Sequence, residues 1–142
     1  MKSQTFRRSR SSPVNSTCRL CPGHWNLHRD KCYWKSQHVK TWNQSRDDCL
    51  RKNAELLVIQ DKEEMEFIKQ SIEDKITYWI GLAFSVKKWM WVTGTQLDQN
   101  LFDEPIYTPN NKCGAVRHKI LSEDCTTEFK WMCKKKSITL SF

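Results

Sequence analysis

The sequence predicts an α+β domain, with two helices segregated from a run of short antiparallel strands. Three observations carry this. Two stretches of the first half, near residues 41–52 and 61–74, have apolar residues at helical spacing behind capping residues. After Lys75 the texture changes to short aromatic or β-branched runs bounded by Gly, Pro, Asn or charges, which is how strands read. The chain has 142 residues, enough for one domain, and its seven Trp and six Phe supply an aromatic-rich core. A strand, two helices and then several strands is the α+β order.

Residues 1–17 are rich in Ser and Arg with little apolar content, and read as linker. "KCYWKS" (31–36) reads as a short aromatic strand. In "TWNQSRDDCLRKNAE", Thr41 and Gln44 have capping-box spacing, and Trp42, Ser45 and Cys49 fall on one helix face. Asn43, Arg46 and Lys52 then face water. "LLVIQ" (56–60) is a strand or a buried turn. In "DKEEMEFIKQSIED", Asp61 caps a second helix whose buried stripe is Met65, Ile68 and Ile72, with acidic residues at the N-terminus where the dipole favours them. "TYWIGLAF", "WMWVTG", "CGAVR", "ILSEDC" and "FKWMCKK" follow as strands. Between them "TQLDQNLFDEPIYTPNNK" (95–112) is a long loop of low periodicity, a length that tends to carry function.

The formal charge of +8 suggests nucleic acid until it is mapped. Lys2, Arg7, Arg8, Arg10 and Arg19 at one end and Lys134, Lys135 and Lys136 at the other account for all of the excess. The 16 Asp and Glu lie between Cys21 and Cys133, where Lys and Arg balance them. A nucleic-acid domain carries its positive charge on a folded face, so these ends read as a solvated stalk and a C-terminal edge. No run approaches the roughly 18 apolar residues of a membrane span, and no secretory leader is evident. Met1 directly before a polar stalk suggests an ectodomain.

Seven cysteines and two N-glycosylation triplets, at Asn15 and Asn43, lean toward an oxidising, extracellular setting. The stretch "CRLCPGHWNLHRDKC" sets Cys18, Cys21, His24, His28 and Cys32 close together. On residues alone it is a zinc knuckle, a redox C-x-x-C or the first staple of a disulfide framework, and cysteine counting does not choose among these.

The chain resembles a C-type lectin-like domain over about residues 21–135. The features that carry this are Cys21-Pro22 and Trp25, Cys32-Tyr33, the helix ending at Cys49, "WIGL" (79–82), "WMW" (89–91), Cys113, "SEDC" (122–125) and "WMC" (131–133). Within that family it is similar to the killer-cell lectin-like receptors, subfamily F first and subfamily B second, through "KCYW", "KTW", "LLVIQ" and "EFI". The resemblance implies a stalk over 1–20, the lectin-like domain over 21–136 and a tail over 137–142. It also implies the bridges Cys21–Cys32, Cys49–Cys133 and Cys113–Cys125. With the first closed, Cys18, His24 and His28 fall one ligand short of a structural zinc site. Cys18 is then left over, either as an interchain bond making a homodimer or as a thiol.

Sugar-binding members of the family hold sugar through calcium. Here the Glu-Pro-Asn or Gln-Pro-Asp of their long loop reads Glu104-Pro105-Ile106, and their Trp-Asn-Asp reads Ile120-Leu121-Ser122. Glu104, Asn111 and Ser122 remain, too few oxygens for calcium, so no cofactor is expected. The long loop instead carries Leu101, Phe102, Ile106 and Tyr107, with Asp103 and Glu104 between them, and has the makings of an interface patch. Arg117, His118 and Lys119, and Lys87 and Lys88, are expected to supply a charged rim. Phe102 tucked under the loop is the plainer alternative. Trp89, Trp91 and Trp131 are expected in the core.

The resemblance therefore implies an extracellular receptor domain of a type II membrane protein on natural killer cells or other lymphocytes, activating by subfamily likeness. It implies a protein ligand of the C-type lectin subfamily 2 on an opposing cell. A metal-independent glycan-binding lectin is the alternative. No enzyme motif is present: Asp47-Asp48 and Glu63-Glu64 are helix neighbours that point about 100° apart.

Overall fold

The computed structural model describes residues 17–141. Most of the expected stalk, with Asn15, lies outside the described residues. In chain order the elements are β1 (Thr17–Leu20), β2 (Asn26–His28), β3 (Lys31–Lys35), α1 (Trp42–Arg51), β4 (Glu55–Leu56), α2 (Lys62–Ser71), β5 (Tyr78–Ser85), β6 (Lys88–Trp91), β7 (Cys113–Val116), β8 (Ile120–Glu123), β9 (Lys130–Lys136) and β10 (Ile138–Ser141). They fall into two compact units. One is formed by the described residues up to Trp34 together with those from Lys134 to Ser141, the other by Lys35–Cys133.

In the larger unit both helices start where the capping residues predict. Thr41 Oγ1 accepts from the Gln44 N–H at 3.3 Å, and Gln44 Oε1 accepts from the Thr41 N–H at 3.1 Å, a complete capping box. Trp42, Ser45 and Cys49 are the buried face of α1. Asp61 accepts from the Glu64 N–H, and the Glu64 carboxylate in turn accepts from the Gln60 N–H at 2.7 Å. That second bond explains why an acidic residue is buried beside Met65 and Ile68.

The sheet of this unit runs β9–β5–β7–β8, with β6 also on β5 and β4 on β9. Pairs β5–β6, β5–β7 and β7–β8 are antiparallel, but β5 and β9 are parallel, with Tyr78 opposite Lys130 and Trp79 opposite Trp131. The expected antiparallel sheet thus carries a parallel pair. Parallel neighbours need a long crossover, and everything from β6 to β8 provides it. Gly81 and Gly114 permit close packing. A Cβ at Gly81 would lie 2.4 Å from the Leu56 carbonyl oxygen, and one at Gly114 would lie 2.6 Å from the Leu82 Cβ.

Three tryptophans bury their rings and still satisfy their indole N–H groups. Trp42 Nε1 donates to the Ile80 carbonyl at 2.8 Å, Trp79 Nε1 to the Lys40 carbonyl at 2.9 Å, and Trp131 Nε1 to Asp48 Oδ2 at 3.0 Å. Trp89, Trp91 and Trp131 are all core, as the sequence predicts. Cys49–Cys133 and Cys113–Cys125 close within this unit.

In the smaller unit β2 and β3 form a hairpin, and Cys21–Cys32 staples it to the segment before. These are the three bridges that the resemblance implies. Two expectations for the chain ends need correction. β1 pairs antiparallel with β10, so residues 17–20 and 138–141, read as stalk and tail, are strands. Each is only four residues long, and the pairing is visible only when both are seen together. Nor is the C-terminal basic run wholly solvated: Lys134 is buried over the Tyr33 ring, and Lys135 lies 4.4 Å from the centre of the Trp25 ring. Cys18 sits in β1 opposite Leu140 and is 1% exposed.

Candidate functional site

The long loop folds from its own residues. Asp98 starts it: its side chain accepts from the Asn100 N–H at 2.9 Å, and its carbonyl accepts from the Leu101 and Phe102 N–H groups. At the far end Thr108 and Asn111 close a turn over Pro109-Asn110, where proline supplies the φ the turn requires. Between these turns Pro105 is buried, while Ile106 is 78% exposed and Tyr107 42% exposed. Ser122 Oγ donates to the Ile106 carbonyl and ties the loop to β8.

A cleft of about 430 Å³ lies between this loop, α2, β8 and the β7–β8 turn. Leu101, Phe102, Asp103, Glu104 and Ile106 form its loop wall. Arg117, His118 and Lys119, the three residues linking β7 to β8, border it from the sheet. These eight expected site residues are therefore brought together. Phe102 is half-buried in the wall, between the two alternatives weighed for it. Among the described residues Arg117, Lys119, Asp103 and Glu104 make no ion pair, so their charges face solvent or a partner.

The remaining three expected residues do not line the cleft. Lys87 and Lys88 lie at the β5–β6 turn. Tyr107 stacks on Phe84 of β5, with ring centres 4.0 Å apart and planes 23° from parallel, and Phe84 and Trp89 meet edge to face with ring centres 5.4 Å apart. Seven cleft contributors lie outside the expected patch: Met65 and Lys69 of α2, Pro105 of the loop, and Ile120, Leu121, Ser122 and Glu123 of β8. Met65 belongs to the helix's buried stripe, and helical spacing does not say whether a stripe faces core or cleft. Phe84 was hidden inside a strand-like run.

The Ca²⁺-type positions now have a spatial context. Ile106 offers no side-chain oxygen, and the Ser122 hydroxyl donates its proton to a backbone carbonyl. Among the described residues no three His, Cys, Asp or Glu gather at metal-binding distance. Asn43 is exposed on the first turn of α1. No helix among the described residues is long and apolar enough to cross a membrane.

The family described as the Lectin C-type domain matches residues 38–135, and the chain belongs to it. Among its relatives, killer cell lectin-like receptor subfamily B member 1B allele B of Mus musculus is 39% identical over 120 residues, which is 82% of this chain and 54% of the relative. Killer cell lectin-like receptor subfamily F member 1 of Macaca fascicularis is 40% identical over 118 residues, 81% of this chain and 51% of the relative. The chain thus spans about half the length of the curated relatives it matches. A crystal structure of the C-type lectin domain of murine dendritic cell inhibitory receptor 2, in complex with N-glycan, superposes with a TM-score of 0.75 at 25% identity, covering 82% of this chain and 98% of that one. The family is one of binding domains rather than catalysts.

Proposed function

We propose that this domain is the extracellular ligand-binding part of a natural killer or other lymphocyte receptor. A type II membrane segment outside these residues anchors it, and it grips a lectin-like protein of the C-type lectin subfamily 2 on an opposing cell. Binding proceeds without calcium, and engagement activates the cell. The chemistry of the long loop carries this reading. Where calcium-dependent relatives need oxygens, Ile106 presents hydrocarbon to solvent and Tyr107 an aromatic edge. The donor set left around it, Glu104, Asn111 and a Ser122 hydroxyl already engaged, falls well short of the six to eight oxygens of a calcium cage. Apolar and aromatic anchors beside unpaired charges such as Arg117 and Lys119 suit a protein interface. An N-glycan on Asn43 would sit on α1.

A metal-independent glycan lectin is the second reading, favoured by the glycan-bound structure of the murine receptor. Surface plasmon resonance against subfamily 2 ectodomains, with and without EDTA, separates the two. We expect binding that EDTA leaves unchanged and that Tyr107→Ala weakens by about tenfold or more, the size of an anchor loss. Phe102→Ala, half-buried in the cleft wall, should weaken it less. Binding abolished by EDTA, or untouched by both substitutions, would overturn the proposal.

A further inference from the structure

The β5–β6 hairpin closes on two residues, Val86 and Lys87, between the paired Ser85 and Lys88. Both have positive φ, 51° and 66°. Two left-handed residues in a two-residue hairpin loop make the type I′ geometry, which asks for Asn-Gly or Gly-Gly. A β-branched valine is strained there, because its Cβ crowds the backbone. Packing does not explain its presence: Val86 is 89% exposed, the most exposed large apolar side chain described. A turn that costs stability while holding hydrocarbon in water is the kind of outlier that marks a binding feature.

Its surroundings say what it would bind. Lys87, Lys88 and Lys112 are all exposed, and Lys112 is fixed beside the hairpin by its carbonyl, which accepts from the Phe84 N–H at 2.8 Å. Among the described residues none of the three forms an ion pair. Two residues behind Val86, Phe84 is the ring on which Tyr107 stacks. The hairpin tip is therefore mounted on the same aromatic base as the long-loop patch and continues it.

We propose that Val86 is an interface anchor, an apolar knob ringed by Lys87, Lys88 and Lys112 that seats in an apolar depression bordered by carboxylates on a protein partner. This rests on the reading of the domain as a protein-binding receptor. The lysines steer the approach of the acidic surface, and the valine supplies the desolvated contact.

The test replaces the turn by the residues its geometry favours. The Val86→Asn/Lys87→Gly variant should melt at a higher temperature than the wild type, because the strain is removed. Tetramers of it should stain cells displaying single subfamily 2 ectodomains about tenfold more weakly, as loss of an anchor predicts. Lys112→Glu should weaken staining at low salt and less at high salt. Wild-type staining by the turn variant would overturn the inference and leave the receptor reading standing. A lower melting temperature would overturn it too, since the two residues would then serve the fold. Staining lost on enzymatic deglycosylation of the cells would replace the protein partner by an anionic glycan, and self-association lost in the variant would replace it by a second copy. No staining of any cell by the wild type would bring down the receptor reading itself, and this inference with it.

Discussion

The inner sheet and the tip of the larger unit are built on opposite terms. In β5, β7 and β9 the central residues are buried and only strand ends reach solvent, three indoles are tied to oxygens by hydrogen bonds, and Cys49–Cys133 joins strand to helix. At the tip, the long loop and the β5–β6 turn expose Ile106 and Val86, and the loop is ordered by an aspartate turn, a proline turn, one hydroxyl and one ring stack. The difference teaches that recognition here is separated from stability: the sheet holds its shape whatever the tip presents, so tip residues are free to be chosen for contact.

The first way to break that contrast is to weaken the sheet. Removing the Cys49–Cys133 bridge with a double Cys→Ala change frees a span of 84 residues in the unfolded chain. On the chain-entropy model this costs about 4.5 kcal/mol. The same change at Cys113 and Cys125, separated by 12 residues, should cost about 3 kcal/mol in urea unfolding. Equal losses would refute the loop-length account. Next in size, Trp42→Phe keeps most of the ring but strands the Ile80 carbonyl inside the core. We expect a loss of about 1–3 kcal/mol, larger than that of any single tip substitution outside the turn. The smallest effect concerns the exposed Asp124. Hydrogen bonds from the Thr126 N–H and hydroxyl hold its carboxyl below the usual carboxylate range. A depressed folded-state value means that its contribution is present at neutral pH and is lost as pH falls through that value. Asp124→Ala should therefore slightly lower the melting temperature at pH 7 and leave it unchanged at strongly acidic pH.

Much of the sheet was legible in the sequence because its signals are local. Thr41 with Gln44, and Asp61 with Glu64, announce helix starts within four residues, and Trp89 and Trp91 read as core from strand texture. The bridges followed from family likeness, since spacing alone does not pair cysteines. What stayed hidden depends on distant partners or on rule-breaking residues. The β1–β10 pair joins segments more than a hundred residues apart, and the parallel contact of β5 with β9 leaves no local pattern. The two central residues of "SVKK" are Val86 and Lys87 rather than Asn, Asp or Gly, so nothing in it announces a type I′ turn. Met65 and Lys69 were placed on a helix correctly, but which of its sides faces the cleft depends on where the long loop packs.

The antiparallel match of β1 with β10 sets Thr17 directly across from Ser141. A few glycines and serines would stitch those positions into a continuous ribbon, and fresh termini could then be cut in an exposed stretch elsewhere, since neighbouring ends tolerate circular permutation. Such a rearranged chain would let an enzyme, dye or second receptor be hung from a chosen rim of the molecule.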